Sequence, residues 1–98
     1  MRLEKKYIDL FVDTARQIFG SSAKLYLFGS RVDDNKRGGD IDLYLETDIK
    51  EDLLNKKIKF LVAVKKVTGD RKIDLVINNG TNHQYIYEVA KEEGILLT

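Results

Sequence analysis

The stretch Gly29-Ser-Arg-Val-Asp-Asp-Asn-Lys-Arg-Gly-Gly-Asp-Ile-Asp-Leu43 is the part of this sequence that says most about its fold and chemistry. Its Gly-Ser pair follows an apolar run, nine residues separate the serine from Asp40, and Asp40 and Asp42 open a second apolar run. A third carboxylate, Asp74, lies in the strand-like segment Lys72-Ile-Asp-Leu-Val-Ile77. A glycine-containing turn and three carboxylates on strands predict phosphoryl transfer assisted by divalent metal ions.

Composition limits the class of protein. The chain has 98 residues, of which 43% are hydrophobic and 34% charged, so we expect a single globular domain over 1–98. Its formal net charge of +1 is too low for a purely electrostatic nucleic-acid binder, so nucleic acid is not expected as the main partner. The absence of cysteine, the charged N-terminus and the lack of an apolar run of about 20 residues lead us to expect a cytoplasmic protein without a membrane anchor.

Hydrophobic periodicity predicts the element order α-β-β-α-β-α(-β). A first helix over 3–19 ends at a glycine, and strands follow over 24–29, 40–46 and 72–77. Capping boxes at Asp48–Glu51 and Thr81–Gln84 predict the starts of two further helices, and 95–97 is a candidate edge strand. We therefore expect an α/β (α+β) domain with a mixed sheet of three to four strands and helices packed on one face.

The middle helix is expected to bury one apolar face against the sheet. The residues predicted for that face are Leu54, Ile58, Leu61 and Val62, together with Val64 or Val67.

Alternation along the strands predicts how the carboxylates are arranged. Asp40 and Asp42 share one face of their strand, and Asp74 lies on the corresponding face of a later strand. Because the apolar faces must pack on the long helices, the carboxylates are left on the open side of the sheet. Three carboxylates close together repel one another unless cations lie between them, and hard oxygen ligands favour Mg²⁺ or Mn²⁺. Two ions about 3.5–4 Å apart would contact both the attacking and the leaving oxygen.

The Gly-Ser turn is a candidate phosphate site. Gly29 lets the backbone approach a phosphate, while the Ser30 hydroxyl can donate to its oxygens. Arg31 and Arg37 are candidates for neutralising charge on the same triphosphate. Asp74 is a candidate for helping to deprotonate an incoming hydroxyl.

The pattern FGSRVDDNKRGGDIDLYLE followed by IDLVI resembles the minimal nucleotidyltransferases of the DNA polymerase β superfamily. The resemblance implies transfer of a nucleoside monophosphate from a nucleoside triphosphate to a hydroxyl, with release of pyrophosphate and two Mg²⁺ ions. By position, Gly29 and Ser30 would hold the triphosphate, Asp40 and Asp42 would bind both ions, and Asp74 would bind one. The loop 31–39 departs from the pattern, because it carries charged residues where many relatives have a more compact Gly-Asp segment.

The small size narrows what the resemblance implies. Larger members of the superfamily have a helical domain that cradles the base and the acceptor. Minimal members resemble the antitoxins of two-gene pairs, which adenylylate a tyrosine of a helical HEPN-domain ribonuclease toxin. The resemblance thus implies ATP as substrate and a HEPN toxin as partner. Two alternatives stay open: transfer to a small molecule or an RNA end, with a homo-oligomer supplying the acceptor pocket, and a non-catalytic antitoxin that binds stoichiometrically.

Three aromatic residues, Tyr26, Phe28 and Tyr44, share the face that carries the carboxylates. Two interpretations remain open for them. The C-terminal helix covers them, or they form a surface for a partner or a second copy.

Overall fold

The computed structural model describes residues 4–28, 41–69, 71–80 and 84–98. The elements follow the predicted order: α1 (Lys5–Phe19), β1 (Lys24–Phe28), β2 (Ile41–Glu46), α2 (Leu53–Thr68), β3 (Ile73–Asn78), α3 (Tyr85–Glu93) and β4 (Ile95–Leu96). None of the helices in these described ranges is long and apolar enough to cross a bilayer.

The four strands form one mixed sheet in the order β3-β2-β1-β4. β1 is antiparallel to both β2 and β4, whereas β2 and β3 are parallel. A parallel pair cannot be joined by a tight hairpin, and α2 is the crossover that connects β2 to β3. The expected mixed α/β architecture is confirmed.

The main core lies between one face of the sheet and the two long helices. Alternate residues of the strands point into it, and Phe11 of α1 meets Phe60 of α2 with ring centroids 6.5 Å apart. Fully buried side chains on this face are Leu25, Leu27, Ile41, Leu43 and Leu45. Burying each such aliphatic side chain contributes roughly 1.5–3 kcal/mol, so this face supplies most of the hydrophobic stabilisation.

The third helix packs on the other face of the sheet. Its Tyr87 and Ala90 join Tyr26 and Tyr44 in a second, smaller cluster, with Phe28 packed against it. Tyr44 lies between the other two tyrosine rings, at centroid distances of 5.5 and 5.8 Å. Covering by the C-terminal helix is therefore the correct interpretation for Tyr26 and Tyr44, whereas Phe28 is only partly buried. The expectation that helices pack on one face holds for α1 and α2, while α3 adds a cover on the second face.

The face of α2 that packs on the core differs from the predicted one. Leu54, Ile58 and Val62 are exposed, and Phe60 is buried in their place. Of the two alternatives predicted for the last turn, Val64 is buried and Val67 is exposed. Only Leu61 of the four residues first assigned to the buried face is partly buried against the core. The prediction was wrong because α2 carries apolar residues on two sides, and contact with α1 selects the side that bears the large aromatic ring.

The two predicted capping boxes do not match the helix starts. α2 begins at Leu53, its N-cap Asp52 has the left-handed φ of 59°, and no side chain caps the helix. The carboxylate of Asp52 instead accepts a hydrogen bond from the Asn55 amide at 2.6 Å. At α3 the N-cap is Gln84, also without a side-chain cap, and the rest of that predicted box, 81–83, lies outside the described residues.

Candidate functional site

Two of the three predicted carboxylates are brought side by side. Asp42 is the second residue of β2 and Asp74 the second residue of β3, and the two are direct partners in the parallel register. On the other side of β2, Asp42 is the partner of Phe28 in β1. Because neighbouring strands lie about 4.8 Å apart and partners project to the same side, the two carboxylates share one face.

The two carboxylates differ in their surroundings. Asp42 is half-buried, whereas the side chain of Asp74 is 52% exposed. The Nζ atom of Lys72 lies 3.8 Å from the Asp74 Oδ2 atom, and the lysine side chain is itself 67% exposed. An ion pair with that much solvent around it contributes little stability, so Asp74 keeps its carboxylate available to a ligand.

An open groove of about 550 Å³ runs beside the carboxylate pair. It follows β3, which is an edge strand of the sheet. Apolar side chains provide most of its lining, and Lys57 of α2 provides a positive charge. The lining residues are Phe28, Asp42, Lys57, Leu61, Ile73, Asp74, Leu75 and Val76.

The donor set fits a hard divalent cation. Two carboxylates at paired register positions present only oxygen ligands, and such ligands prefer Mg²⁺ or Mn²⁺ over softer metals. Within the described ranges no group of three potential ligands is gathered at one place. The third predicted ligand, Asp40, lies outside the described residues, as do Gly29, Ser30, Arg31 and Arg37. Their assigned roles remain predictions.

A polar network occupies the opposite end of the same sheet face. The Tyr44 hydroxyl donates to the Glu46 Oε2 atom at 2.9 Å and accepts from the Asn78 amide at 3.0 Å. Lys91 of α3 lies 3.4 Å from the same glutamate oxygen. Burial raises the pKa of Tyr44 to about 12, and Glu46 adds to the rise while the Asn78 hydrogen bond opposes it.

Two groove residues of α2 were not predicted as site residues. Lys57 and Leu61 are one helical turn apart and lie beside the carboxylates, although they are distant from them in sequence. Their i, i+4 spacing did not mark them as site residues, since the same spacing occurs on every face of a helix. Their place at the site depends on how the crossover helix is rotated against the sheet.

The mixed sheet, the paired carboxylates near the amino ends of two parallel strands and the open groove are the features expected of a metal-dependent phosphoryl-transfer domain. The family described as Polymerase beta, Nucleotidyltransferase matches residues 5–98, nearly the whole chain, and the chain belongs to this family. Comparison with curated proteins gives no match. Family membership supports a nucleotidyl transfer activity in general, and the family generally uses divalent metal ions and nucleoside triphosphates.

Proposed function

We propose that this protein transfers AMP from ATP to a hydroxyl of a partner protein, a tyrosine of a helical HEPN toxin, and thereby acts as an antitoxin. The observation that carries the transferase part is the register that places Asp42 beside Asp74 on one sheet face. The polymerase β family match over residues 5–98 gives the reaction class. The partner and the nucleotide rest on the resemblance of the motif to minimal antitoxins.

The proposed reaction breaks one phosphoanhydride bond. The acceptor oxygen attacks the α-phosphorus of ATP, the bond from that phosphorus to the bridging oxygen breaks, and pyrophosphate leaves with the bonding electrons. The acceptor proton passes to the carboxylate of Asp74. Asp40, Asp42 and Asp74 would hold Mg²⁺, which when bound neutralises charge on the triphosphate. Gly29, Ser30, Arg31 and Arg37 would hold the triphosphate itself.

The shape of the groove favours a protein acceptor. Sites for small molecules generally enclose most of the ligand surface. Here the groove lies open along an edge strand and is walled largely by apolar side chains. A segment of another protein can cover such a surface and bring a side-chain hydroxyl to the carboxylates, whereas a small polar acceptor would find few polar partners among the described lining residues.

Transfer of label from α-labelled ATP tests the proposal, with the helical protein that co-purifies from the native host as acceptor. Asp74→Asn and Lys72→Gln form a matched pair, because both break the Lys72–Asp74 ion pair but only the first removes a carboxylate. We expect Asp74→Asn to lower transfer at least 100-fold, since a ligand and proton acceptor is lost. Lys72→Gln should stay within about threefold of wild type, because its ion pair is exposed.

Three results would contradict parts of the proposal. Undiminished transfer by Asp74→Asn would mean that the Asp74 carboxylate takes no part in the reaction. Label that appears in acid-soluble products or on RNA, and not on protein, would mean that the acceptor is a small molecule or an RNA end. If neither wild type nor Asp74→Asn transfers label, and Asp74→Asn still inhibits the partner, the protein would be a stoichiometric antitoxin.

A further inference from the structure

The solvent side of α2 carries a continuous apolar row. We call Leu54, Ile58 and Val62 the α2 stripe; their side chains are 70%, 49% and 53% exposed. Their four-residue spacing stacks them along the helix axis, one per turn. Three large aliphatic residues in a row on an amphipathic helix are more than the scattered exposure that any protein surface shows.

The α2 stripe adjoins the groove beside the carboxylates. Leu61 is three residues after Ile58 and next to Val62, and it lines the groove together with Asp42 and Asp74. Lys57, which precedes Ile58, lines the same groove. An occupant of the α2 stripe therefore extends along the groove towards the carboxylate pair.

Within α2 itself, all the charged residues are lysines, while Glu51 and the N-cap Asp52 precede the helix. Leu53–Thr68 contains five lysines and no acidic residue. Lys65 and Lys66 lie one turn beyond Leu61 and Val62, so they continue the apolar row as positive charge. In the part of the chain that the structure describes, none of the five α2 lysines forms an ion pair. An apolar row flanked by lysines is complementary in charge to an apolar surface flanked by carboxylates.

We propose that the α2 stripe is the docking surface for an acidic amphipathic helix of the acceptor protein. A helix laid along α2 would place its apolar residues on Leu54, Ile58 and Val62 and its carboxylates near the lysines. This inference rests on the proposed function, because it assigns the surface that holds the acceptor hydroxyl beside Asp42 and Asp74.

The lysines of α2 disfavour a second copy of the chain, and the aliphatic nature of the α2 stripe disfavours nucleic acid. Two copies of α2 meeting around a twofold axis would bring five lysines of each helix together, against the two carboxylates, Glu51 and Asp52, that precede each helix. Single-stranded nucleic acid is usually bound by stacking bases on aromatic rings, and the α2 stripe is aliphatic. Helices that lie on membranes carry Trp, Phe or Leu on the apolar face and lysines on the polar face. The α2 stripe has Leu54 but no exposed aromatic residue, because Phe60 is buried, and vesicle binding tests this alternative directly.

The test uses synthetic helical peptides of about 18 residues, or five turns, as probes. One peptide carries leucines on one face, glutamates on both flanks and one tyrosine; its counterpart has lysines in place of the glutamates. Binding is followed through amide chemical shifts of the isotopically labelled protein. Ile58→Ser is compared with Val67→Ser, which removes an equally exposed aliphatic side chain of the same helix outside the α2 stripe.

We expect the acidic peptide to shift amides of α2 and β3, and to bind at least tenfold more tightly than its lysine counterpart. Ile58→Ser should weaken binding at least fivefold, and Val67→Ser less than twofold. Binding that is equal for both peptides, or equally weakened by both variants, would overturn the proposal. So would shifts confined to other elements.

Two further measurements separate this inference from its rivals and from the proposed function. Sedimentation showing a dimer that Ile58→Ser dissociates would assign the α2 stripe to a second copy, and Ile58-dependent binding to phosphatidylserine vesicles would assign it to a membrane. If Ile58→Ser transfers AMP to the acceptor at the wild-type rate, the docking surface would be refuted and the proposed transferase activity would stand. Peptide binding by Asp74→Asn as well as by wild type, with neither transferring label, would support docking and refute the transferase.

Discussion

At the scale of single residues, Tyr44 is a buried polar group that is held on every side. It is 1% exposed, and its ring is packed between Tyr26 and Tyr87. Its hydroxyl is held by Glu46 and Asn78. The anionic form is disfavoured because burial removes its solvation and the neighbouring glutamate is negatively charged, which is why its pKa rises from 10.0 to about 12.

The raised pKa predicts an alkaline loss of stability. The unfolded chain releases the tyrosine proton near pH 10, whereas the folded protein holds it until about pH 12. Its contribution is therefore complete below pH 10 and is lost as the pH rises to 12, by an amount on the order of 2 kcal/mol. Denaturant melts in EDTA should show wild type more stable than Tyr44→Phe at pH 8, by roughly 1 kcal/mol for the lost hydrogen bonds. That advantage should shrink or reverse by pH 12.

The two proteins differ only in the Tyr44 hydroxyl, so the difference between their curves follows that group and its contacts with Glu46 and Tyr26. A constant difference between wild type and Tyr44→Phe from pH 8 to 12 would contradict the alkaline prediction.

The residue scale also shows what alternation along a strand can predict. Asp42 and Asp74 were expected on one face, and the register confirms that they are partners. The expectation followed from period-two alternation, which is nearly independent of the rest of the fold. Lys57 could not be predicted as their neighbour, because its position depends on the rotation of a helix about its axis.

At the scale of elements, α2 shows where periodicity fails. Leu54, Ile58 and Val62 satisfy a helical apolar row as well as the buried residues do, so the sequence pattern alone supports two faces. The choice is made by tertiary packing, in which Phe60 meets Phe11 of α1. The rejected row is the α2 stripe, so the wrong prediction and the proposed docking surface arise from the same two-sided pattern.

The junction between α3 and β4 gives a prediction about element packing. Gly94 ends α3, and its N–H donates to the Ala90 carbonyl at 2.8 Å. A Cβ atom at this position would clash with the Ala90 oxygen and come within 3.1 Å of the Leu27 oxygen in β1. Since all of these atoms belong to the backbone, Gly94→Ala should lower the free energy of unfolding by about 1–3 kcal/mol. Urea melts measure this loss.

The control for that junction is Glu93→Ala, an exposed position at the end of the same helix. It should change the free energy of unfolding by less than about 0.5 kcal/mol. Equal stabilities for Gly94→Ala and Glu93→Ala would mean that the close approach of α3 to β1 does not restrict this residue.

At the scale of the whole molecule, the carboxylate pair joins strands that are far apart in the chain. Asp42 and Asp74 lie on opposite sides of the α2 crossover, so only the folded chain brings them together. A divalent cation that needs both carboxylates binds the native state and not the unfolded chain. Binding of this kind raises the stability of the entire fold by mass action.

Thermal melts therefore test the metal site independently of catalysis. At a Mg²⁺ concentration 100 times the dissociation constant, the stabilisation is about 2.7 kcal/mol. For a domain of about 100 residues, each 1 kcal/mol raises Tm by roughly 4–8 °C. Wild type should show a rise that saturates with Mg²⁺ and is reversed by EDTA, while Asp74→Asn, which keeps Asp42 and the predicted ligand Asp40, should show a clearly smaller rise. Lys72→Gln keeps both carboxylates and should respond like wild type. A rise of the same size in Asp74→Asn would mean that Asp74 does not contribute to Mg²⁺ binding, and would contradict a site that uses both carboxylates that the β2–β3 register brings together.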